Sequence, residues 1–479
     1  MIKAYFEKYT KLSIQIKAAF WFVSCSVLQK GISFITVPIF TRLLNPSEYG
    51  AYSLYLSWMQ ILLIFSSLNL YYGVLDNGLS KFDSDRNKFI SSMQGLTMTI
   101  TLLMFIVTCI FNSSITKVLG LSFVMIVIMF IEMMVQPALL FWTGRQKFEY
   151  RYKRLVFVTL LRSALNPLLG VALVLLFDDR LFGRLLSVVL VEVLVCGPLL
   201  IKQFGAGKTF YDKFYWKYAL TLALPMLPHY LAGVVLNQGD RIMIERMVGV
   251  SEVAYYSVAY NIGMLVQMIT SAINNAITPW LYGKFKSKNF AGVKDTINGL
   301  LVVVAMFSLI TMLFSPELVL LFGSSEYYSG AYVIPLVAAS VYFIFLYGIF
   351  SLPQFYFEKT RYLLLSSLFA AILNIVLNYF FIKSFGYIAA AYTTLVCYLI
   401  YSTGHYFISR YFTKKYMGEE ELFDIKMVSI ISLSLIACSV LSQLLFPYRI
   451  VRILCFLLVL GLIFNQRKQL LKLLANVRK

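Results

Sequence analysis

Apolar residues in this chain do not alternate with polar ones at a strand or amphipathic-helix period. They run for about twenty residues at a time, separated by short polar turns. A bilayer core about 30 Å thick is crossed by roughly 20 apolar residues in helix. On that scale spans are predicted near 18–40, 50–72, 89–111, 118–141, 155–177, 181–201, 218–239 and 253–280. Six more follow near 297–321, 330–353, 362–382, 386–409, 427–446 and 450–465. The pattern predicts an all-α integral membrane protein of about fourteen transmembrane helices. No turn exceeds about seventeen residues, so no extramembrane domain is expected between spans.

Composition agrees: 60% of residues are hydrophobic and 13% charged, about half the charge of a soluble chain. The net charge of +20 would suggest nucleic acid in a soluble protein, but its placement argues otherwise. With fourteen spans, 31 of the 42 Lys and Arg fall on one side, 8 on the other and 3 within spans. That is the positive-inside bias. It predicts a multi-pass protein with both termini cytoplasmic, contacts with anionic phospholipids and no nucleic-acid partner. The six Cys lie in apolar runs without CxxC spacing, and no metal-ligand cluster or catalytic triad is evident. Residues 1–17 are polar and basic, and the first apolar run carries Gln29 and Lys30, so a cleavable signal is not expected.

The chain repeats itself. Arg42–Tyr55 aligns without gaps, at an offset of 204, with Arg246–Ala259, and Arg, Ser, Glu, Tyr and Ser match at five of fourteen positions. Both copies follow the first helix of a six-helix set, so the sets share one orientation and form parallel repeats. The expected organisation is an N-lobe over 1–208, a C-lobe over 209–417 and two further helices over 418–479. Two pseudo-symmetric six-helix lobes make a transporter plan, with substrate between lobes that rock.

Gly31–Tyr55, with Pro228-His229, Asp240–Ile244 and Glu252–Tyr260, resembles the polysaccharide-transport (Wzx-type) flippases. That family shares a superfamily with MATE multidrug exporters and lipid II flippases. The resemblance implies a MATE-like fold in the bacterial cytoplasmic membrane. It implies a substrate of undecaprenyl diphosphate bearing an oligosaccharide unit for O-antigen, capsule, exopolysaccharide or teichoic-type glycan. The unit would move from the inner to the outer leaflet, alongside a polysaccharide polymerase and chain-length machinery.

A charge at a helix centre costs about 2.5–3.5 kcal/mol and needs a reason. Lys30, Glu132, Arg162 and Glu192 lie at similar depths, roughly 10–20 Å in at 1.5 Å per residue. In one reading Arg162 pairs with Glu132 or Glu192, and Lys30 takes the other carboxylate. In the other, Lys30 and Arg162 face a cavity and hold a diphosphate, Arg by bidentate contact and Lys as a point charge. Arg42 and Arg246 are repeat mates on the outer side, with Asp240 and Arg241 just before the second. They are candidates for an outer gate or diphosphate guide, or for local pairs with Glu48 and Glu252.

Both histidines, His229 and His405, are intramembrane, and a hydrogen-bonded structural role is the commoner one. His229 is flanked by Pro225 and Pro228, which interrupt a helix. No cofactor is expected. Coupling to Na⁺ or H⁺ is open, with Glu132, Glu192, Asp240 and His229 as candidates. Gly205–Thr209 imitates the end of a Walker A loop, but Lys202 stands where the first Gly belongs. The alternatives are a multidrug exporter of the same fold, which favours an acidic, aromatic cavity, and a membrane glycan polymerase or ligase, which usually works on a long outer loop.

Overall fold

The computed structural model describes residues 13–419 and 421–461. The terminal basic residues, Lys3, Lys8 and Lys11 at one end and Arg467, Lys468, Lys472, Arg478 and Lys479 at the other, lie outside them. All regular structure among the described residues is helical. The helices of the first half are α1 (Ile14–Leu43), α2 (Pro46–Ser67), α3 (Val74–Lys81), α4 (Arg86–Ile110), α5 (Asn112–Leu119), α6 (Phe123–Phe148), α7 (Tyr152–Leu176), α8 (Arg180–Gly207) and α9 (Lys213–Ala223). Then come α10 (Leu227–Met247), α11 (Val250–Gly263), α12 (Val266–Ser287), α13 (Val293–Leu313), α14 (Ser315–Phe322), α15 (Ile334–Tyr356), α16 (Thr360–Phe385), α17 (Ala389–Met417) and α18 (Ile425–Leu444). A last helix, α19, occupies 449–461.

Ten stretches are long and apolar enough to cross a membrane: α1, α4 with its leading turn, α6, α7, α8, α9–α10 together, α13, α15, α16 and α18. The other four expected spans fall on α2, α11–α12, α17 and α19. The 14-residue α11 and the described part of α19 are short. α2, α12 and α17 interleave Tyr, Ser, Thr and Asn with their apolar residues. Their length and place in the order, rather than apolarity, mark them.

The chain forms two compact units, Met1–Val234 and Val235–Lys479. The expected 208/209 boundary counts spans, whereas the packing divides later, within α10. In unit 1, α4, α6 and α7 pack on α8, and α1 lies along α7. Residues 207–223 stay with this unit because they are stitched to α4. Ser91 Oγ donates to Thr209 O at 2.7 Å, Trp216 Nε1 donates to Ser92 O at 2.9 Å, and Lys88 Nζ meets Asp212 at 2.9 Å. A Cβ on Gly95 would stand 1.9 Å from Phe210 O, and one on Gly207 2.2 Å from Asn87 O. Gly205–Thr209 is therefore a packing segment. Tyr215, Ala219 and Ala223 of α9 join Leu75, Phe89, Met93 and Phe141 in one apolar core. Pro225 lies in the 3-10 turn Leu224–Met226 that separates α9 from α10, and Pro228 follows in the first turn of α10.

In unit 2 the centre is α15, with α17, α13, α18, α11 and α12 around it; 83% of its most apolar window is buried, against 6% for α1 and 11% for α7. α19 is fastened by Arg452, which is buried. Its guanidinium takes both oxygens of Glu317, at 2.5 and 2.8 Å, and donates to Leu313 O at 2.8 Å.

Candidate functional site

The four intramembrane charges expected at one depth all belong to unit 1. Arg162 on α7 pairs with Glu192 on α8, Nε donating to Oε1 at 2.7 Å with a second contact from Nη2. Cys196 Sγ donates to the other oxygen of Glu192 at 3.1 Å. Glu192 is buried, but the Arg162 side chain keeps 29% of its surface open. Glu132 takes neither Lys30 nor Arg162 as a hydrogen-bond partner. It accepts from Tyr55 Oη at 3.0 Å and lies within Coulombic reach of Glu192, Arg162 and Arg184. Lys30 is exposed on α1 and forms no ion pair among the described residues. Its neighbour Gln29 donates to Ser163 Oγ, the neighbour of Arg162, at 3.4 Å. Lys30 and Arg162 thus flank one contact on the α1–α7 seam.

Arg184, the third basic residue within a span, is 3% exposed. It donates to Tyr52 Oη (2.9 Å), Asn166 Oδ1 (2.8 Å) and Ser187 Oγ (3.0 Å). Its guanidinium carbon stands 4.1 Å from the Phe40 ring centre and 4.8 Å from that of Tyr52, within cation–π range.

Unit 2 holds the acidic counterpart. Asp240 and Arg241 are not on a turn, because α10 continues to Met247 through the polar residues where hydropathy falls. Asp240 is fully buried. It accepts from Asn378 Nδ2 at 2.7 Å, from Thr394 Oγ1 at 2.9 Å and from Tyr256 Oη. Asn378 also donates to Asn374 Oδ1 at 3.2 Å and accepts from Thr393. These donors lie on α11, α16 and α17, up to 154 residues away in sequence. Arg241 turns away to Ser257 Oγ (3.0 Å), Asn237 O (2.8 Å) and the Tyr260 ring (4.7 Å).

The remaining candidates are more local. Arg42 donates to Pro38 O at 2.8 Å, in its own helix. Glu48 closes a capping box with Asn45 at the start of α2. Arg246 meets the adjacent Glu245 at 3.3 Å. His229 lies at the unit 1 end of α10, its ring 5.8 Å from that of Tyr230. His405 is buried against Gln354 and the rings of Tyr347 and Tyr401. Among the described residues no three His, Cys, Asp or Glu gather as a metal site.

A family model described as a polysaccharide biosynthesis protein matches residues 16–283, more than half of the chain. The chain belongs to this family. A second model, MatE, matches residues 225–380. "Lsg locus putative protein 1" of Haemophilus influenzae is 23% identical over 270 residues, covering 54% of this chain and 64% of its own. The succinoglycan biosynthesis transport protein ExoT of Rhizobium meliloti is 22% identical over 322 residues, covering 64% and 63%. The match thus spans just under two thirds of each relative's length. Among solved structures, the lipid II flippase MurJ in an inward closed conformation superposes with a TM-score of 0.70 at 14% identity, covering 93% of this chain and 98% of that one. An inward-facing MATE family multidrug transporter gives 0.61 at 13%, covering 80% and 94%. These likenesses establish a MurJ- and MATE-like transporter fold.

Proposed function

We propose that this polysaccharide biosynthesis protein is a flippase that carries polyprenyl-diphosphate-linked oligosaccharide units from the inner to the outer leaflet of the bacterial cytoplasmic membrane. The observation that carries the reading is a cation on each side of the Gln29–Ser163 contact of the α1–α7 seam, the exposed Lys30 on α1 and the partly open Arg162 on α7, in a chain of this family. Arg162 presents a planar fork to phosphate, and Lys30 a mobile ammonium. An arriving diphosphate would compete with Glu192 for Arg162, so binding and rearrangement of the α7–α8 contact are one event. Transport by alternating access of two lobes, with both termini cytoplasmic, belongs to the same proposal.

Coupling to H⁺ or Na⁺ falls in this reading to Asp240, a buried carboxylate that accepts from neutral hydroxyls and an amide, with the Arg241 guanidinium in Coulombic reach. The MatE match over 225–380 keeps a multidrug exporter as the second reading. A cationic drug would be repelled by Lys30 and by Arg162 once its pair opened.

Deletion of the gene separates these readings. Loss of a flippase leaves single lipid-linked units inside the cell, whereas loss of an exporter changes drug sensitivity alone. Lys30→Ala with Arg162→Ala is expected to fail to restore export while reaching the membrane in normal amount. Normal export by that double variant overturns the role given to the pair.

A further inference from the structure

At the foot of the α1–α7 seam the chain builds a second cationic feature. A cavity of about 570 Å³ opens there between the start of α1 and the α6–α7 turn. Lys17, Arg151, Lys153 and Arg154 line it, with Glu149 and Tyr152. The turn is tight: Tyr150 takes φ +54°, and Arg151 N reaches back to Gln146 O at 2.8 Å. This closure sets three basic residues on four consecutive positions beside α1. Trp21 stacks on Tyr152 with ring centres 6.4 Å apart and planes 4° from parallel, tying the two helices together at this level.

The one carboxylate in the lining is already engaged. Glu149 meets Arg145 at 2.8 Å, Arg151 at 3.0 Å and Arg86 at 3.9 Å. Lys153 and Arg154 are exposed and form no ion pair among the described residues. Four cations against one carboxylate leave the lining with a formal charge of +3. The volume is that of a small-ligand site.

The flanks of the same two helices are apolar and open. Ile16, Phe20, Val23 and Val27 on α1, and Phe157 and Leu161 on α7, are all exposed. A cationic cavity below an apolar flank fits an anionic head that carries an apolar tail, rather than a free nucleotide or phosphate. The seam also leads upward. α1 and α7 both begin at the cavity, Lys30 lies thirteen residues beyond Lys17, and Arg162 ten beyond Tyr152. At 1.5 Å per residue the pair stands about 15–20 Å above the cavity.

We propose that this cavity is the docking site where the diphosphate head of a polyprenyl-linked substrate first binds, before it rises to Lys30 and Arg162. Which lipid is carried rests on the reading above; where its head first lands rests on this cavity. Lys153 and Arg154, uncommitted to any carboxylate, are the residues that recognise it.

The test uses the full chain in phosphatidylcholine nanodiscs, titrated with undecaprenyl diphosphate and separately with phosphatidylglycerol. Lys153→Gln with Arg154→Gln is expected to weaken undecaprenyl diphosphate binding about tenfold, the scale of one or two charge-assisted phosphate contacts. Phosphatidylglycerol binding should be unchanged. Two results overturn the site alone: the Lys153/Arg154 variant binding undecaprenyl diphosphate like wild type, or losing phosphatidylglycerol to the same degree. A wild-type chain that ignores undecaprenyl diphosphate overturns both the site and the substrate reading.

Discussion

Tyr52 and Tyr256 are repeat mates, 204 residues apart, and each sets its hydroxyl against a buried charge of opposite sign. Tyr52 accepts from Arg184 in unit 1; Tyr256 donates to Asp240 in unit 2. The other partners also correspond. Asn166 on α7 serves Arg184, while Asn378 on α16 serves Asp240, and α7 and α16 are the fifth helices of their six-span sets. One junction of the repeat has thus been built twice, around a cation in one unit and an anion in the other. The difference is consequential because a guanidinium keeps its charge under all ordinary conditions, whereas a carboxylate can be neutralised by a proton or a bound cation. Unit 1 therefore carries a fixed junction and unit 2 one that can change state.

The largest effect is expected where the acidic junction loses its acceptor. Asp240→Leu strands the donors of Asn378, Thr394 and Tyr256 in a buried site, at about 1–3 kcal/mol each. A loss on the order of 3–9 kcal/mol should appear as poor insertion or a collapsed thermal transition. Asp240→Asn keeps an acceptor and the shape, so it should fold while losing any dependence of transport on the coupling ion. If the Leu variant melts like wild type, Asp240 does not organise unit 2.

Arg184→Met tests the basic junction and should cost less, about 2–3 kcal/mol. Methionine keeps most of the stem volume and the apolar contacts of the stem, while the cation–π contacts and three hydrogen bonds go. Melting of the purified variant against Asp240→Leu measures the asymmetry. Equal losses would mean that the two junctions are interchangeable supports.

These junctions show what the sequence disclosed and what it did not. The common depth of Arg162 and Glu192 was readable from spacing alone, and they do pair. Tyr52 and Tyr256 were visible as identical letters in the repeat, yet their partners were not. Asn378 and Thr394 reach Asp240 from 138 and 154 residues away, and nothing local marks such neighbours. Tyr55 was hidden likewise: the donor that displaced Lys30 as the partner of Glu132 lies 77 residues from it. Asp240 and Arg241 were assigned to a turn because hydropathy falls there, but buried partners let α10 continue through them. The order of apolar runs carried the helix sequence well, since bilayer thickness constrains length directly, while four spans are too polar or too short for apolarity to count them.

The Arg162–Glu192 pair of unit 1, open only on its Arg162 edge, predicts a smaller effect on stability and a clearer one on binding. Glu192→Gln removes the competitor for Arg162 and leaves the guanidinium to a ligand. Affinity for undecaprenyl diphosphate is expected to rise about threefold to tenfold, near 1 kcal/mol for a partly screened pair, while turnover falls because release slows. Unchanged affinity would show that the pair stays closed on its substrate and that Arg162 only joins α7 to α8.

The smallest effect lies at the start of α9, where Asp212, just before that span, meets the first turn of α4. Asp212 caps α9 through Phe214 N at 3.0 Å and Tyr215 N at 3.3 Å, and meets Lys88 at 2.9 Å. The hydrogen-bonded Lys88 ammonium, helped by the two amides, holds its carboxyl below the ordinary aspartate range. A carboxyl depressed on folding stabilises fully above its unfolded value near 3.9, and that contribution fades as pH falls through the folded value. Asp212→Ala loses cap and pair and should cost about 1 kcal/mol. Asp212→Asn keeps a cap acceptor and loses only the solvent-screened pair with Lys88, so it should cost less than Ala. Melting at pH 7 should therefore rank wild type above Asn above Ala, and as pH falls through the folded Asp212 value the wild type and Asn variant should converge because both then carry a neutral cap. If their separation persists in acid, the Lys88 charge is not what distinguishes them, and the hold of α9 on unit 1 rests on its buried aromatic face alone.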